Sequence, residues 1–365
     1  MSYKRIYNFS AGPATLPVPV LEEMQRDLVS LPGVGMSILE ISHRSMAFES
    51  ILAETEADIR SLAGVPSNYR VLFLPGGASL QFSMVPMNFL ASSATADYID
   101  CGAWAAKAIQ EAKKVGTVHV AASTKAERYA RIPAQTELKL TPGAAYVHMT
   151  SNNTIEGTEY KQLPDIGAAP LVSDASSDIF SRPIDILRHA LIYAGAQKNM
   201  GPAGVTIVII RDDLVARSAV RKSTLPTMMN YAVHVESHSL YNTPPTFAVY
   251  TVGLVMKWLT AQGGLAPIGQ RNERKARKLY AEIDRTGFYR GTARKEDRSL
   301  MNVTFRLRSE SLEKAFIRES AAAGLDGLEG HRLVGGIRAS LYNAFPEEGV
   351  DELVRFMRDF EGRHG

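Results

Sequence analysis

A single cysteine, Cys101, among 365 residues leaves no partner for an internal disulfide and excludes a CxxC metal pair. No window approaches the ~20 apolar residues that a membrane span requires. The opening Met1-Ser2-Tyr3-Lys4-Arg5-Ile6-Tyr7-Asn8-Phe9 lacks the apolar core of a secretory signal. These absences point to a reducing cytoplasm. An excess of one charge is also missing: 41 Lys and Arg against 38 Asp and Glu give +3, spread along the chain. Nucleic acid is therefore not expected as a partner, although a local basic pocket stays open. His119, His148, His189, His234, His238 and His364 show no HExxH-type spacing, so no metal is expected. A nucleotide P-loop is excluded by the lack of GxxxxGK[ST].

What is present is an ordinary globular composition, 45% apolar and 22% charged. The length suits a large domain with a smaller one. Short apolar runs bounded by Gly and Pro predict strands near 70–74, 96–100, 118–121, 145–149, 171–174, 190–196 and 205–210. Helical periodicity predicts helices over 20–31 and 46–63, after Gly77, and from Gly102 through Lys114. Alternating strands and helices make this an α/β unit with a mostly parallel sheet flanked by helices. An apolar helix over 246–260 leads away from it, and a charged one follows over 270–285. Strands 303–307 and 336–341 and helices 312–323 and 350–360 then form a smaller α/β domain. The expected division is 16–260 for the large domain and 261–365 for the small one, joined by an N-terminal arm, 1–15.

The most informative stretch is Ala194-Gly195-Ala196-Gln197-Lys198-Asn199-Met200-Gly201-Pro202-Ala203-Gly204. A lone lysine sits on a Gly- and Pro-rich bend between two buried strands. It is either an exposed loop lysine or an amine whose pKa desolvation lowers, fit to form a Schiff base with a carbonyl cofactor. Other stretches favour the second reading. Ala78, Trp104, Thr154, Asp174 and Lys198 all fall at or just past predicted strand ends, where parallel sheets gather their ligands.

For an aldehyde cofactor the leading candidate is pyridoxal phosphate, whose ring nitrogen needs a carboxylate partner. Asp174 is placed for that, or alternatively as a helix cap near Ser176. Trp104 is either a stacking partner for the ring or a core tryptophan. Pro75-Gly76-Gly77-Ala78-Ser79, between a strand and a helix, offers backbone N–H groups to a phosphate, although such turns are common. Tyr241-Asn242-Thr243-Pro244-Pro245 supplies further donors or a simple turn. Two His-Arg pairs, His43-Arg44 and His331-Arg332, together with Arg338, give a basic substrate end, since Arg forks onto carboxylates and phosphates.

Taken together, these motifs resemble the phosphoserine aminotransferase family, within the class V aminotransferases that use pyridoxal phosphate. The resemblance runs end to end. It rests on Asn8-Phe9-Ser10-Ala11-Gly12-Pro13, Ser42-His43-Arg44, Leu74-Pro75-Gly76-Gly77-Ala78-Ser79 and Ser151-Asn152-Asn153-Thr154-Ile155-Glu156-Gly157-Thr158. The Lys198 stretch, Asn242-Thr243-Pro244-Pro245, Gly330-His331-Arg332 and Gly336-Ile337-Arg338-Ala339-Ser340 complete it.

The resemblance implies a fold type I enzyme with Lys198 as the Schiff-base and proton-shuttling residue. Asp174 would pair with the ring nitrogen, Trp104 stack on the ring and Thr154 bind its 3-oxygen. Ala78, Ser79 and Gln197 would hold the phosphate. Asn242 and Thr243 would reach the neighbouring subunit's cofactor, so a homodimer with shared sites is implied. Arg338 would clamp the α-carboxylate. His43, Arg44, His331 and Arg332 would receive the distal phosphate or γ-carboxylate, and Ser10 would line the pocket. Implied substrates are L-glutamate and a phosphorylated 2-oxo acid of serine biosynthesis, with a related acid of pyridoxine synthesis as a side substrate.

Some members carry arginine where this chain has Ser79, which removes one charge contact. An alanine–glyoxylate type enzyme would not need two His-Arg pairs. A cysteine desulfurase would need a cysteine on a mobile loop. A catalytically silent cofactor-binding protein would be expected to have lost Lys198, Asp174 or Arg338.

Overall fold

The computed structural model describes residues 5–365, so the first four residues of the arm lie outside it. The arm's strand β1 (Tyr7–Asn8) precedes helices α1 (Val18–Asp27) and α2 (Met46–Ala63). The central sheet comprises β2 (Tyr69–Leu74), β3 (Thr95–Asp100), β4 (Thr117–Ser123), β5 (Val147–Thr150), β8 (Leu171–Asp174), β9 (Leu191–Gly195) and β10 (Thr206–Arg211). A small antiparallel pair, β6 (Asn152–Asn153) and β7 (Thr158–Glu159), stands apart from it. Helices α3 (Gly77–Phe89), α4 (Ala103–Lys113), α5 (Asp212–Ala219), α6 (Tyr231–Glu236) and α7 (Thr246–Ala261) complete this part.

The spatial order is β2-β10-β9-β8-β5-β3-β4, parallel except for β10, which runs antiparallel to both neighbours. The exception follows from the Lys198 bend. Parallel neighbours need a crossover long enough for a helix, and the bend between β9 and β10 holds none.

Alternation along the strands sorts the core into two layers. Ile192, Ala194, Ile207 and Ile209 face Phe48, Leu52 and Ile59 of α2 and Val252 and Val255 of α7. Leu191, Tyr193, Val208 and Ile210 face Phe82 and Val85 of α3 and Ala108 and Ile109 of α4. With both faces covered, the central strands are apolar throughout, which made them readable as short runs.

Beyond α7, helix α8 (Leu265–Ile283) precedes β11 (Arg290–Gly291), β12 (Asn302–Arg306), α9 (Glu310–Ala322), β13 (Leu325–Asp326), β14 (Ile337–Ser340) and α10 (Glu347–His364). Strands β11, β12 and β14 form an antiparallel sheet, while β13 pairs in parallel with β1. Phe9 of the arm joins Phe305, Phe316, Leu353 and Phe360 in a separate core. Helix α8 serves both: Leu265 and Ile268 enter the first core, Leu279 and Ile283 the second.

Three helices depart from their predicted limits, α10 by running beyond 350–360 at both ends, to Glu347 and His364. α1 stops at Asp27, so Leu28 and Val29, read as helical, are exposed instead, Val29 by 83%. α8 begins five residues before the predicted 270, because Gly263 and Gly264 (φ 90° and 81°) turn the chain sharply ahead of Leu265.

Lys275, within the charged stretch of α8, is buried. Its Nζ donates to the carbonyls of Leu341 (2.9 Å), Tyr342 (2.8 Å) and Phe345 (3.0 Å), just beyond β14. Lys275→Met retains most of the stem but strands three buried acceptors. Denaturant unfolding followed through the second core should lose ~3 kcal/mol. An unchanged midpoint would show that these carbonyls do not depend on the amine.

Candidate active site

Lys198 lies three residues past the end of β9, among small neighbours, and its stem is covered by the arm. Ala14 N–H donates to the Gln197 carbonyl at 2.9 Å. Gly12 (φ 138°) leaves only 3.5 Å between a hypothetical Cβ and Lys198 Cγ. Lys198 Nζ donates to Thr154 Oγ1 at 2.7 Å, from the turn joining β6 and β7. Burial pulls the amine down from 10.5 to about 8; Asp174 and Asp178 oppose the fall and Arg338 adds to it.

Asp174 is the last residue of β8 and is buried. Its Oδ1 accepts from Ser176 N–H (3.0 Å) and Oγ–H (2.6 Å), while burial holds the carboxyl above the usual carboxylate range. Both readings of Asp174 therefore have a basis. Oδ1 makes the local turn, and among the described residues Oδ2 carries no hydrogen bond and is left for a cation. Asp178, buried behind it and hydrogen-bonded by Ser151 Oγ, is pushed by burial up to about 7.

On the other side, Arg338 of β14 donates from Nη1 to the Thr154 carbonyl at 3.4 Å, and its Nε is buried without a partner. It lines a cleft of about 670 Å³ with His331 and Glu156. Lys198, Asp174, Thr154 and Arg338 thus converge where the carboxyl ends of β5, β8 and β9 meet β14.

Residues 6–353 match the family described as Aminotransferase class-V. A phosphoserine aminotransferase from Herpetosiphon aurantiacus is 52% identical over 99% of both chains. The chain belongs to the phosphoserine aminotransferase family. The solved phosphoserine aminotransferase of Bacillus circulans subsp. alkalophilus is 50% identical, with a TM-score of 0.96 over the full length of both chains. A phosphoserine aminotransferase from Trichomonas vaginalis, described as PLP-bound, is 39% identical and has a TM-score of 0.93 over 97% of this chain and all of that one.

The residues expected to hold pyridoxal phosphate carry free groups of the kinds it needs. Trp104, in the first turn of α4, has its indole N–H buried without a partner. Lys107 Nζ lies 4.2 Å from the centroid of its ring. Ala78 and Ser79 occupy the first turn of α3, where the helix supplies no acceptors for N–H groups. Gly76 (φ 91°) permits this turn, since a Cβ there would strike Leu80. A buried carboxylate, a desolvated amine and an open helix N-terminus together suit an aldehyde with a ring cation and a phosphate.

Other predicted residues make no hydrogen bond to Lys198, Thr154, Asp174 or Arg338 among the described residues. His43 Nδ1 and Thr243 Oγ1 are 3.2 Å apart, and Arg44, Asn242 and Thr243 are exposed. None of the bonds these four residues make among the described residues reaches the Lys198 cluster. Arg332 is exposed beside the half-buried His331. Ser10 packs against Gly327 (φ 78°) and borders a shallow groove with Asn8 and Asp326.

Sequence reading assigned no role to Glu156 or Asp178, both buried and ionisable within the site. Glu156 sat inside a quoted motif, and only its position next to Gly157 hinted at a turn. Cys101 is fully buried, its thiol pushed up to about 12, which does not suit a reactive nucleophile.

With the cofactor removed, acetylation of Lys198 by a small anhydride should be half-maximal near pH 8, where an ordinary lysine is about 99% protonated. Peptide mapping across a pH series measures this. A midpoint above 10 would refute the desolvated amine.

Proposed function

We propose that the chain transfers the amino group of L-glutamate to 3-phosphohydroxypyruvate, giving O-phospho-L-serine and 2-oxoglutarate, as a cytoplasmic enzyme of serine biosynthesis. The observation that carries the reading is a desolvated lysine amine and an arginine that meet at Thr154, one on its hydroxyl and the other on its carbonyl, in a chain about half identical to phosphoserine aminotransferases along its whole length. Aminating the related phosphorylated acid of pyridoxine synthesis belongs to the same proposal. Among the described residues no helix is long and apolar enough to cross a membrane.

Pyridoxal phosphate, when bound, supplies the carbonyl carbon that takes up the amino group and a ring that stores the electron pair released at the substrate α-carbon. Lys198 Nζ takes the α-proton and returns it, a task suited to an amine with a pKa near working pH. Asp174 keeps a proton on the ring nitrogen, Thr154 holds the ring oxygen and Trp104 covers one face. Ala78, Ser79 and Gln197 hold the phosphate through neutral donors, Ser79 offering no charge. Arg338 grips the α-carboxylate, with Ser10 bordering the arm side of the pocket.

A second copy of the chain completes the site in this proposal. Arg44, Asn242 and Thr243 are exposed and His43 is half-buried among them, its Nε2 without a partner, with the apolar Val29 (83% exposed), Met46 (87%) and Tyr241 (49%) nearby in sequence. A homodimer that covers these side chains would deliver Asn242 and Thr243 to the neighbouring cofactor phosphate. His43 and Arg44 would then meet the distal substrate anion alongside His331 and Arg332. The proposed domain division is 16–260 and 261–365, with the arm 1–15 closing over Lys198.

Visible absorbance of the pyridoxal-phosphate-loaded protein should change on adding L-glutamate and not on adding L-alanine. A response to alanine alone would favour an alanine–glyoxylate type enzyme. No response to any amino acid would favour a silent binding protein. Arg332→Ala should raise KM for the phosphorylated acid at least tenfold, as expected on losing a charge-assisted pair of ~1.5–3 kcal/mol. KM for glutamate should rise less, and equal effects would displace the phosphate contact from Arg332.

A further inference from the structure

Glu156 is a buried carboxylate with divided duties. Its Oε1 accepts the Ala103 N–H at 2.8 Å, capping the helix that carries Trp104. Its Oε2 is buried with no partner, and so is Nε of Arg338, which lines the same cleft. An open acceptor and an open donor of opposite charge therefore share one wall without an ion pair between them. The backbone gives Glu156 little room to move. Thr304 Oγ1 donates to the Glu156 carbonyl at 2.9 Å, and Ser299 N–H donates to the Gly157 carbonyl at 2.8 Å. At Gly157 (φ 77°) a Cβ would overlap Thr304 Oγ1 and lie 2.9 Å from the Asn302 carbonyl.

We propose that Glu156 is a positioning residue that couples carboxylate binding at Arg338 to the uptake of one proton. Ionised, Glu156 offsets the charge of the guanidinium through space and repels an incoming carboxylate. Protonated, it frees the guanidinium while Oε1 keeps the cap on α4. The proposal deepens the proposed function and rests on its reading of Arg338 as the carboxylate clamp.

The charged and titratable groups facing Glu156 are Asp100 at the end of β3 and Cys101 after it, Glu127, Arg128 and Tyr129 after β4, Arg306 at the end of β12, Arg338 on β14, and His331 before it. Burial raises the Glu156 carboxyl to about 7; the Ala103 N–H and Arg338 pull it down and Asp100 pushes it up. A second carboxylate in the cleft raises it further. Binding therefore takes up a proton, and affinity falls as pH rises above about 7, by at most tenfold per unit. Below about 7 Glu156 is already protonated and contributes no slope.

The test uses the pyridoxal-phosphate-loaded protein and 2-oxoglutarate, which carries no amino group to transfer. Calorimetric titration at pH 7.5 in two buffers of different ionisation enthalpy counts the protons taken up. Wild type should take up roughly half a proton more than Glu156→Gln, whose amide oxygen can still cap Ala103. The loss of affinity between pH 7 and 8 should be correspondingly flatter in the variant. Equal uptake in both proteins would overturn the proposal and assign the proton to Lys198 or His331. Should the variant fail to load, infrared difference spectra of wild type decide: a carboxylic-acid C=O band must appear on adding 2-oxoglutarate, and its absence overturns the coupling. Binding that is indifferent to Arg338→Ala would instead refute the clamp reading, and the coupling would fall with it.

Discussion

The site depends on keeping one amine out of water. Lowering Lys198 from 10.5 to about 8 corresponds to roughly 3 kcal/mol of differential interaction between its two protonation states. Several elements share in producing it: the arm across the stem, the small residues around the bend, and the β6–β7 turn that supplies Thr154. Asp174 and Asp178 keep the amine from falling further, and both are themselves raised by burial. Neither the lysine nor the carboxylates would be perturbed on a solvated loop. The strand ends matter because they bring these groups together while apolar layers exclude water on either side.

The geometry between Arg338 and Lys198 depends on holding β14 against β9, since the first strand carries Arg338 and the second leads to Lys198. Polar contacts bridge them. Asn343 N–H donates to Asn199 Oδ1 at 3.0 Å, and Asn272 Nδ2 donates to Asn343 Oδ1 at 2.8 Å. Tyr342 OH donates to the Ala11 carbonyl at 2.9 Å, tying the same turn to the arm. Lys275 gathers the carbonyls of that turn from behind. Such bonds are directional, so they fix a register that apolar packing alone would leave adjustable. The residue next to Lys198 is thereby bonded to the chain that follows Arg338.

Much of this was legible in the sequence. The sheet strands were readable because burial on both faces makes them continuous apolar runs, and Lys198 stood out as a charge at the end of one. The reversed direction of β10 is not carried by its apolar run, and its one sign in the sequence is the shortness of the Lys198 bend, which leaves no room for a crossover helix. Lys275 looked like part of a solvated face in a charged helix; the carbonyls that hold it lie 66 to 70 residues away. Glu156 was obscure for a similar reason. Its loop reads as polar, and docking against Thr304 and the start of α4 buries it. The contact between His43 and Thr243 spans 200 residues. In each case the sequence showed the residue type, but the environment that gives it a role comes from the tertiary fold.

A site proposed to accept a phosphate dianion and a carboxylate in turn faces an electrostatic problem. Enough positive charge to hold the phosphate would hold the carboxylate product as well, and would acidify Lys198 further. The structure distributes the charge instead of concentrating it. Arg338 is half-buried, with its pKa lowered by burial against the opposing pull of Tyr342 and Glu156, while Arg44 and Arg332 stay exposed. Exposed guanidiniums are screened by solvent, so they repel the Lys198 ammonium only weakly until a ligand covers them. Distance does the rest: Arg338 is the arginine whose charge acts on the amine, and it sits beside the carboxylate of Glu156. The amine thus retains a pKa suited to moving protons while the distal end stays positive enough to draw in either anion.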